Sequence, residues 1–346
     1  MEERYLIIKP SSLGDVIHAF PAVSLLAELR PQAKIDWVVV PAFADIVKLH
    51  PAVDRIIPFR RKELGSISTF PSAVRELIRE IRKTEYTAVF DLQGLLRSGL
   101  IAALAKTKKV AGHKEPKEKI AKLFYHSVID SGPQTIHAVK RNLRLISTFF
   151  GTEKKDFQKT EFLKNESAAQ KISEMLSVLP KGKIVAIAPG ARWPSKRWDL
   201  SFFQRSSELL KEKLPECSFL LLGAGDEKKL AEELLRTLPG PTLDLTGKTT
   251  VAELLEAIRA SDVLFCNDSG PMHIAAALGV PVTAMFAPTD PVRTGPYSEC
   301  AEVLLPEDLP CMKCFKYDCQ TPLCHQAIPP EKAAETLYRI LTGGKA

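Results

Sequence analysis

Short apolar segments alternate with amphipathic segments along this chain, and the alternation begins twice. In the first half, the apolar runs 5–9, 34–40, 53–59 and 87–91 have the length of strands, and helical spacing of apolar residues follows within 16–29, 71–83 and 93–105. Strands separated by helices are joined by right-handed crossovers, which produce a parallel sheet. The pattern therefore predicts an α/β protein.

A polar stretch over 152–183 divides the chain into two similar halves. After it the pattern restarts with a strand at 184–188 and a helix at 200–213, and 346 residues are enough for two domains with separate cores. We expect one Rossmann-like domain at 1–165 and another at 166–329. A last helix follows within 330–346. A cleft between two such domains is the default ligand site.

The stretch 263–291 has the strongest functional signal. A short apolar strand ends in Asn267, Asp268, Ser269 and Gly270, and a helix begins near Pro271. Ligands of open α/β sheets bind where strands end and helices begin, because free amides and the helix dipole attract phosphate there. Ser269 and Gly270 are candidates for an anion site, with His273 one helical turn further on. A tight turn with an Asp or Ser helix cap is the alternative.

Three further loops of the second half carry candidate nucleotide contacts. Residues 188–198 combine glycine, arginine and lysine, as a pyrophosphate site would, whereas 222–227 and 247–250 follow shorter strands and would equally serve as helix caps. No Gly-x-Gly-x-x-Gly fingerprint and no P-loop occur in the sequence. These absences disfavour a nicotinamide enzyme or an NTPase.

In the first half, Asp15 lies in a glycine-bearing loop directly after the first strand. A carboxylate in this position suits a general base, although Asp would also cap the helix that follows.

Two of these regions resemble the lipopolysaccharide heptosyltransferase family, glycosyltransferase family 9. The runs NDSGPMHIAAALGVPV and APTDP are similar to its nucleotide-sugar signature, and KPSSLGDVIHAFPA is similar to its acceptor signature. The resemblance implies the GT-B fold, in which two Rossmann-like domains have parallel sheets facing across a cleft. The resemblance implies further that the last helix, within 330–346, packs back on the first domain. It also implies inverting transfer of heptose from ADP-L-glycero-D-manno-heptose to the Kdo of the lipid A inner core. The segment 91–98 resembles most closely the members that add the first heptose; addition of the second heptose, or of another sugar, is the nearest alternative.

The same resemblance assigns roles to individual residues. It implies that Asp15 is the base and that Lys196 stabilises the departing diphosphate, with no catalytic metal or other cofactor required. The implied donor-binding residues are Ala191, Arg192, Lys196, Glu227, Thr249, Asp268, Ser269, Gly270 and His273. The acceptor-side candidates are Lys9, Ser11, Ser12, Gly14, Gln93, Arg97, His137 and Arg141, each of which has a surface or capping role as its alternative.

Charge and hydropathy restrict partners and location. The net charge is +7, and basic residues cluster at 60–62, 106–109 and 113–122. One such cluster usually means a solvated surface, but three in one half suit an anionic glycolipid or the inner face of the cytoplasmic membrane. No nucleic-acid module accompanies the charge. The acidic start and the lack of an apolar run of about 20 residues predict a cytoplasmic, peripherally associated protein.

Four of the seven cysteines lie close together near the end, at Cys311, Cys314, Cys319 and Cys324. Their spacing permits a structural zinc site, and plain thiols are the alternative. A non-catalytic protein that binds nucleotide or glycolipid is the alternative of another class. A nucleotide-sugar epimerase is disfavoured, because it would need no acceptor and would leave the basic first half without a role. The sequence leaves the oligomeric state open.

Overall fold

The computed structural model describes residues 2–65, 69–153, 155–158, 160–306, 309, 311–320 and 323–343. The chain forms two compact units that divide between Leu163 and Lys164. This division lies two residues before the expected boundary.

The described part of the first unit consists of parallel strands connected mainly by helices. Its elements are β1 (Arg4–Ile8), α1 (Leu13–Ile17), α2 (Phe20–Leu29), β2 (Lys34–Val39), α3 (Ala44–Lys48), β3 (Arg55–Pro58), α4 (Phe70–Ile81), β4 (Ala88–Asp91), α5 (Leu96–Leu104), β5 (Val110–His113), β6 (Ser127–Ile129) and α6 (Ala138–Phe149). A 3₁₀ helix, Lys119–Phe124, connects β5 to β6.

The second unit repeats this plan. Its elements are α7 (Glu166–Leu176), β7 (Ile184–Ala188), α8 (Leu200–Lys213), β8 (Ser218–Leu221), α9 (Lys228–Leu235), β9 (Thr242–Asp244), α10 (Val251–Arg259), β10 (Val263–Asn267), α11 (Gly270–Leu278), β11 (Val282–Met285), α12 (Pro291–Thr294), β12 (Ala301–Leu304), α13 (Leu323–Gln326) and α14 (Pro330–Leu341).

Both sheets have the same doubly wound strand order. The first is β3-β2-β1-β4-β5-β6 and the second is β12-β11-β10-β7-β8-β9, with parallel pairing throughout. The strand order reverses between β1 and β4 in one unit and between β7 and β10 in the other. Ligands of doubly wound sheets bind outside the carboxyl ends of the strands at such a reversal. The expectation of two Rossmann-like α/β domains with parallel sheets is confirmed.

The central strands are almost continuously apolar because helices cover both faces of each sheet. Leu6 and Ile8 of β1 pack in one cluster with Val38, Val89 and Ile101. In the second unit, Val185, Ile187, Phe219 and Phe265 share a core with Trp198 and residues of α8.

The helix expected over 16–29 is two helices in the structure. α1 ends at Ile17, and α2 begins at Phe20 with Pro21 in its first turn. Proline has no N–H to donate to the preceding turn, so it is tolerated at a helix start but not within a helix. The helix expected over 93–105 begins only at Leu96, because Gly94 adopts a left-handed φ of 68°.

The last helix, α14, packs within the second unit, and its expected contact with the first domain stays a prediction. Ala333, Leu337 and Leu341 of α14 are buried in the core of the second unit, and α14 packs along α8. Its apolar stripe matches the one that α8 presents, so α14 completes the second unit. Among the described helices, none is both long and apolar enough to cross a membrane.

Candidate functional site

Asp15 lies in the first turn of α1, in the loop that leaves the carboxyl end of β1. Its Oδ2 accepts hydrogen bonds from the Ser12 backbone N–H at 3.3 Å and from the Ser12 hydroxyl at 3.2 Å. Its Oδ1 lies 3.4 Å from Lys9 Nζ and 3.3 Å from Lys117 Nζ. Asp15 therefore bonds to Ser12 at the start of α1 and also contacts Lys9 and Lys117. Its capping role does not exclude a chemical role.

The two lysines keep Asp15 ionised. Burial by itself raises the pKa of Asp15, but the charges of Lys9, Lys117 and His18, together with the Ser12 N–H, outweigh burial and hold that pKa well below its usual range. Lys9 is itself buried, and burial lowers the pKa of Lys9 to about 8 despite the nearby Asp15 carboxylate. The Lys9 ammonium also donates to the Leu92 carbonyl at 2.8 Å. The result is a carboxylate and two ammonium groups at the carboxyl ends of β1 and β4.

Lys117 was not among the candidates from sequence, although it lies in the basic stretch 113–122. Its backbone is fixed, because the Glu118 N–H donates to the Gly94 carbonyl at 2.9 Å and the Gln134 side chain donates to the Pro116 carbonyl at 2.8 Å. Its side chain is about half exposed. Only the contact with Asp15, 102 residues away in sequence, reveals this residue.

Most of the remaining acceptor-side candidates lie around the same strand ends. Gln93 is buried directly after β4, and His137 caps α6 by accepting from the Val139 N–H at 3.1 Å. The His137 ring lies 5.0 Å from the ring of His18, between centroids. Arg141 donates to the Glu115 carbonyl.

A further histidine, His113, was missed from sequence because β5 was not predicted. It is buried at the end of β5, and its Nδ1 is 2.7 Å from the Ser131 hydroxyl. Burial, reinforced by the charges of Arg141 and Lys9, lowers the pKa of His113 well below its ordinary value. His113 therefore stays neutral at physiological pH and serves as a hydrogen-bonding group.

Asp91, also missed as an individual residue, organises the loop after β4. Its Oδ1 accepts from the Gln93 and Gly94 N–H groups, and its Oδ2 accepts from the Ser98 and Tyr125 hydroxyls at 2.9 and 2.7 Å. Burial raises its pKa. All four hydrogen bonds are internal, so Asp91 positions Gln93 and the start of α5.

Two of the three remaining acceptor-side candidates, Gly14 and Ser11, lie close to Asp15 in the chain, and the third, Arg97, lies on α5. Gly14 is buried in α1 and Ser11 is half-buried in the preceding loop. Arg97 is exposed on α5, with no hydrogen bond or ion pair found for it among the described residues. The structure does not bring Arg97 into the polar group around Asp15.

In the second unit, Lys196 and Asp268 form a close ion pair. Lys196 ends a 3₁₀ turn after β7, and its Nζ lies 2.5 Å from Asp268 Oδ2, which also accepts from the Thr289 hydroxyl at 2.6 Å. The Lys196 ammonium lies 4.9 Å from the centroid of the Trp193 ring. The side chain is thus held at the carboxyl ends of β7, β10 and β11.

The N-terminus of α11 lies at the same edge. Ser269 is its N-cap residue without a side-chain capping bond, and the buried Ser269 hydroxyl has no hydrogen-bond partner among the described residues. Gly270 is the first helical residue, and His273 is buried one turn further on. A positive helix end, a lysine and an unsatisfied hydroxyl together fit a phosphate oxygen.

Glu227 lies against two glycines at the ends of β7 and β8. A Cβ on Gly190 would be 1.8 Å from Glu227 Oε1, and one on Gly223 would be 2.9 Å from Oε2. Only glycine allows this approach. The Ala224 N–H donates to Oε2 at 2.8 Å, and burial raises the pKa of Glu227. Such a carboxylate can accept hydrogen bonds from the hydroxyls of a ribose.

The other donor candidates vary in position. Ala191 is buried and its carbonyl accepts from Arg197 Nε at 2.8 Å, whereas Arg192 is exposed. Thr250 rather than Thr249 caps α10, through a bond from the Glu253 N–H at 3.3 Å. Thr249 is half-buried next to that cap, and the capping bond belongs to Thr250 and not to Thr249.

The described part of the segment 311–326, which includes the cysteines considered for zinc, supports the Lys196 loop. His325 Nε2 is 2.7 Å from the Ser195 carbonyl, and Trp198 Nε1 donates to the His325 carbonyl at 2.9 Å. The Ser195 hydroxyl donates to the Lys316 carbonyl at 2.6 Å. A cavity of about 260 Å³ is lined by residues of this segment and of the loop around Ser195 and Asp199.

Burial, and then the nearby thiols of Cys311, Cys319 and Cys314, raise the pKa of Cys324, so the four cysteines of this segment lie within electrostatic reach of one another. The zinc site that their spacing permits stays a prediction. Cys311 and Cys314 are exposed, and Cys319 and Cys324 are half-buried. Within the described ranges, no group of three or more His, Cys, Asp or Glu side chains is placed to hold a metal ion.

Comparison with known proteins shows which family the chain resembles. The family model described as glycosyltransferase family 9 (heptosyltransferase) matches residues 74–325. The chain is 30% identical to lipopolysaccharide heptosyltransferase 1 of Pseudomonas aeruginosa, over 98% of each protein. It is also 30% identical to lipopolysaccharide heptosyltransferase 1 of Escherichia coli K12, over 86% of this chain and 91% of that protein.

A solved structure shows the same fold. The E. coli heptosyltransferase WaaC with ADP superimposes with a TM-score of 0.79 at 24% identity, covering 97% of this chain and 99% of that one. The similarity therefore extends over both units.

Proposed function

Because the chain belongs to glycosyltransferase family 9, the heptosyltransferases, we propose that it transfers heptose from ADP-L-glycero-D-manno-heptose to the Kdo of the lipid A inner core. The chain is a glycosyltransferase with the GT-B fold. The observation that carries the donor part of the proposal is the group of Lys196, Asp268 and Ser269 at the start of α11. One relative is named a lipopolysaccharide heptosyltransferase, which supports heptose as the sugar. A similar solved structure is a heptosyltransferase with ADP, which supports ADP as the nucleotide.

In this proposal, Asp15 removes the proton of the attacking hydroxyl. The acceptor O–H bond breaks toward Asp15, the acceptor oxygen bonds to the anomeric carbon on the face opposite the leaving group, and the configuration inverts. The lysines keep Asp15 deprotonated, so it can accept a hydrogen bond from the acceptor hydroxyl, although the same charges lower its basicity. Lys9 and Lys117 are also cations that an acceptor carboxylate would approach.

The second unit stabilises the leaving group. As the anomeric C–O bond breaks, its electron pair leaves with ADP, and negative charge grows on the diphosphate. Lys196, the first amides of α11 and the Ser269 hydroxyl are donors fixed before the reaction, and fixed donors stabilise developing charge without reorganising. Glu227 would bind the ribose. These donors supply the positive charge, so we propose that no catalytic metal is required.

Transfer at a lipid-linked acceptor would place the protein at the inner face of the cytoplasmic membrane, associated peripherally. The basic stretches of the first half support this location.

A transfer assay with mass detection tests the proposal. Asp15→Asn should lower kcat by about 10²–10⁴-fold, because the amide cannot accept the proton, while calorimetric ADP affinity stays unchanged. Asp45→Asn is the matched control, since Asp45 is exposed on α3 and its ion-pair partner among the described residues is the neighbouring Lys48. Full turnover by Asp15→Asn would contradict the base assignment.

The same assay separates the members of the family. Purified protein should transfer heptose from ADP-heptose and not from UDP- or GDP-sugars, and should do so in the presence of a chelator. An acceptor ending in Kdo and one already bearing a heptose distinguish first from second heptose addition. Product from the second acceptor alone would assign the second heptose instead.

A further inference from the structure

An apolar surface surrounded by basic side chains lies on the first unit, outside the polar group around Asp15. Leu123 is 79% exposed, and Leu100, Ile120 and Leu96 are 49%, 48% and 37% exposed. We call these side chains, together with Arg97, Lys119 and Lys122, the leucine–lysine surface.

Two elements that pack together form this surface. The 3₁₀ helix 119–124 lies against α5 so closely that a Cβ on Gly99 would come 2.5 Å from the Phe124 ring. Leu96 and Leu100 are four residues apart on α5, and Ile120 and Leu123 are three apart on a helix of three residues per turn. Each pair therefore lies on one side of its element, and Ala121 is turned inward and buried.

The charge of the surface is not neutralised within the protein. For Arg97, Lys119 and Lys122, the described residues provide no acidic partner. The nearest carboxylate in sequence, Glu118, accepts from the Leu96 N–H instead. Large apolar side chains rimmed by polar ones mark interaction sites, and unpaired cations favour an anionic partner.

The surface is continuous in the chain with the acceptor-side group. Lys117, which contacts Asp15, comes two residues before the 3₁₀ helix that carries Ile120 and Leu123. A glycolipid acceptor must present its sugar to Asp15 while its acyl chains stay in a bilayer. A membrane contact beside Lys117 would meet both requirements.

We propose that the leucine–lysine surface docks the protein on an anionic lipid bilayer. Its leucines and Ile120 enter the interfacial layer, and Arg97, Lys119 and Lys122 contact lipid phosphates. This role of the surface rests on the proposed function in one respect, which is that the acceptor is anchored in a lipid bilayer.

Flotation with lipid vesicles tests the surface directly. Wild-type protein should bind vesicles rich in phosphatidylglycerol and bind phosphatidylcholine vesicles about tenfold less well or worse. Lys119→Gln with Lys122→Gln should weaken binding about tenfold and reduce its dependence on salt. Leu100→Ser with Leu123→Ser should also weaken binding about tenfold or more, including at high salt.

Matched variants in the second unit control for general loss of apolar surface and charge. Val178 is 71% exposed and Lys181 is exposed, so Val178→Ser with Lys181→Gln should bind vesicles as the wild type does. Equal loss in this control, equal binding to both kinds of vesicle, or no vesicle binding by wild type would overturn the proposal. A wild-type dimer that Leu100→Ser with Leu123→Ser converts to a monomer would assign the surface to a second copy instead.

Activity on a soluble, deacylated acceptor separates this inference from the proposed function. The four surface substitutions should leave that activity unchanged, because none lies in the groups around Asp15 or Lys196. Intact vesicle binding without any heptose transfer would reject the proposed function and keep the surface. Full transfer to the soluble acceptor, together with vesicle binding that the substitutions do not affect, would keep the proposed function and reject the membrane role of the surface.

Discussion

The contact between Lys9 and Asp15 places a titrating cation in the acceptor-side group. Burial lowers the pKa of Lys9 to about 8, so its positive charge is complete below that pH and disappears as the pH rises through it. Asp15, whose pKa is held well below its usual range, keeps its charge throughout. Lys9 is therefore the member of this pair that changes near neutral pH.

This difference predicts the pH dependence of acceptor binding. The acceptor KM should increase as the pH rises through about 8, by about tenfold one pH unit higher, because an uncharged Lys9 no longer attracts a carboxylate. Steady-state kinetics across this range measure it. An acceptor whose carboxylate is converted to an amide is the control and should show a flat KM. The same increase with both acceptors would show that Lys9 does not bind the carboxylate.

At the same scale, the sequence predicted Asp15, Lys9, Lys196 and Asp268 as site residues but not the contributions of Lys117 and His325. Residues in a motif after a strand are placed by that strand, so their position at the sheet edge follows from the pattern. Lys117 reaches Asp15 through a separate loop, and His325 supports Ser195 from 130 residues away. Such contacts depend on how elements pack, which no local pattern encodes. Arg97 is exposed on α5, and its acceptor-side role stays a prediction.

Among the elements, the missed strands are short and lie toward the sheet edges. β5, β6 and β12 have four, three and four residues, and β5 includes a glycine and a histidine. So few residues cannot show a period of two, and pairing with the neighbouring strand decides their conformation. The central strands were predicted because burial on both faces makes them apolar throughout.

The close approach of β7 and β8 to Glu227 gives a prediction for these elements. Gly190→Ala should weaken ADP binding about tenfold, because the new methyl group would displace the Glu227 carboxylate. Calorimetry measures the ADP affinity. Gly225→Ala is the control on the neighbouring turn, where an added Cβ meets nothing within 4 Å. Unchanged affinity in Gly190→Ala would remove Glu227 from the nucleotide site.

At the scale of the whole molecule, the doubly wound order of both sheets explains where the chemistry lies. Each unit places its functional residues where the strand order reverses, at the ends of β1 and β4 and of β7 and β10. The first unit has a carboxylate with two lysines there, and the second has a lysine with a helix N-terminus. In the proposed reaction, the same fold would supply a site for proton removal in the first unit and a site for a phosphate leaving group in the second.

The assignment of α14 to the second unit predicts how stability is divided. Leu337→Ala removes a fully buried side chain from the second core, and Leu143→Ala removes one from the first; each should cost about 2–5 kcal/mol. Hydrogen exchange followed by mass spectrometry should then show faster exchange in β7–β11 for Leu337→Ala and in β1–β5 for Leu143→Ala. ADP at about 100 times its Kd should return about 2.7 kcal/mol of protection to the Leu337→Ala unit, because the nucleotide binds its folded form. If Leu337→Ala instead accelerates exchange equally in both sheets, the two cores unfold as one cooperative unit, and α14 stabilises the whole chain.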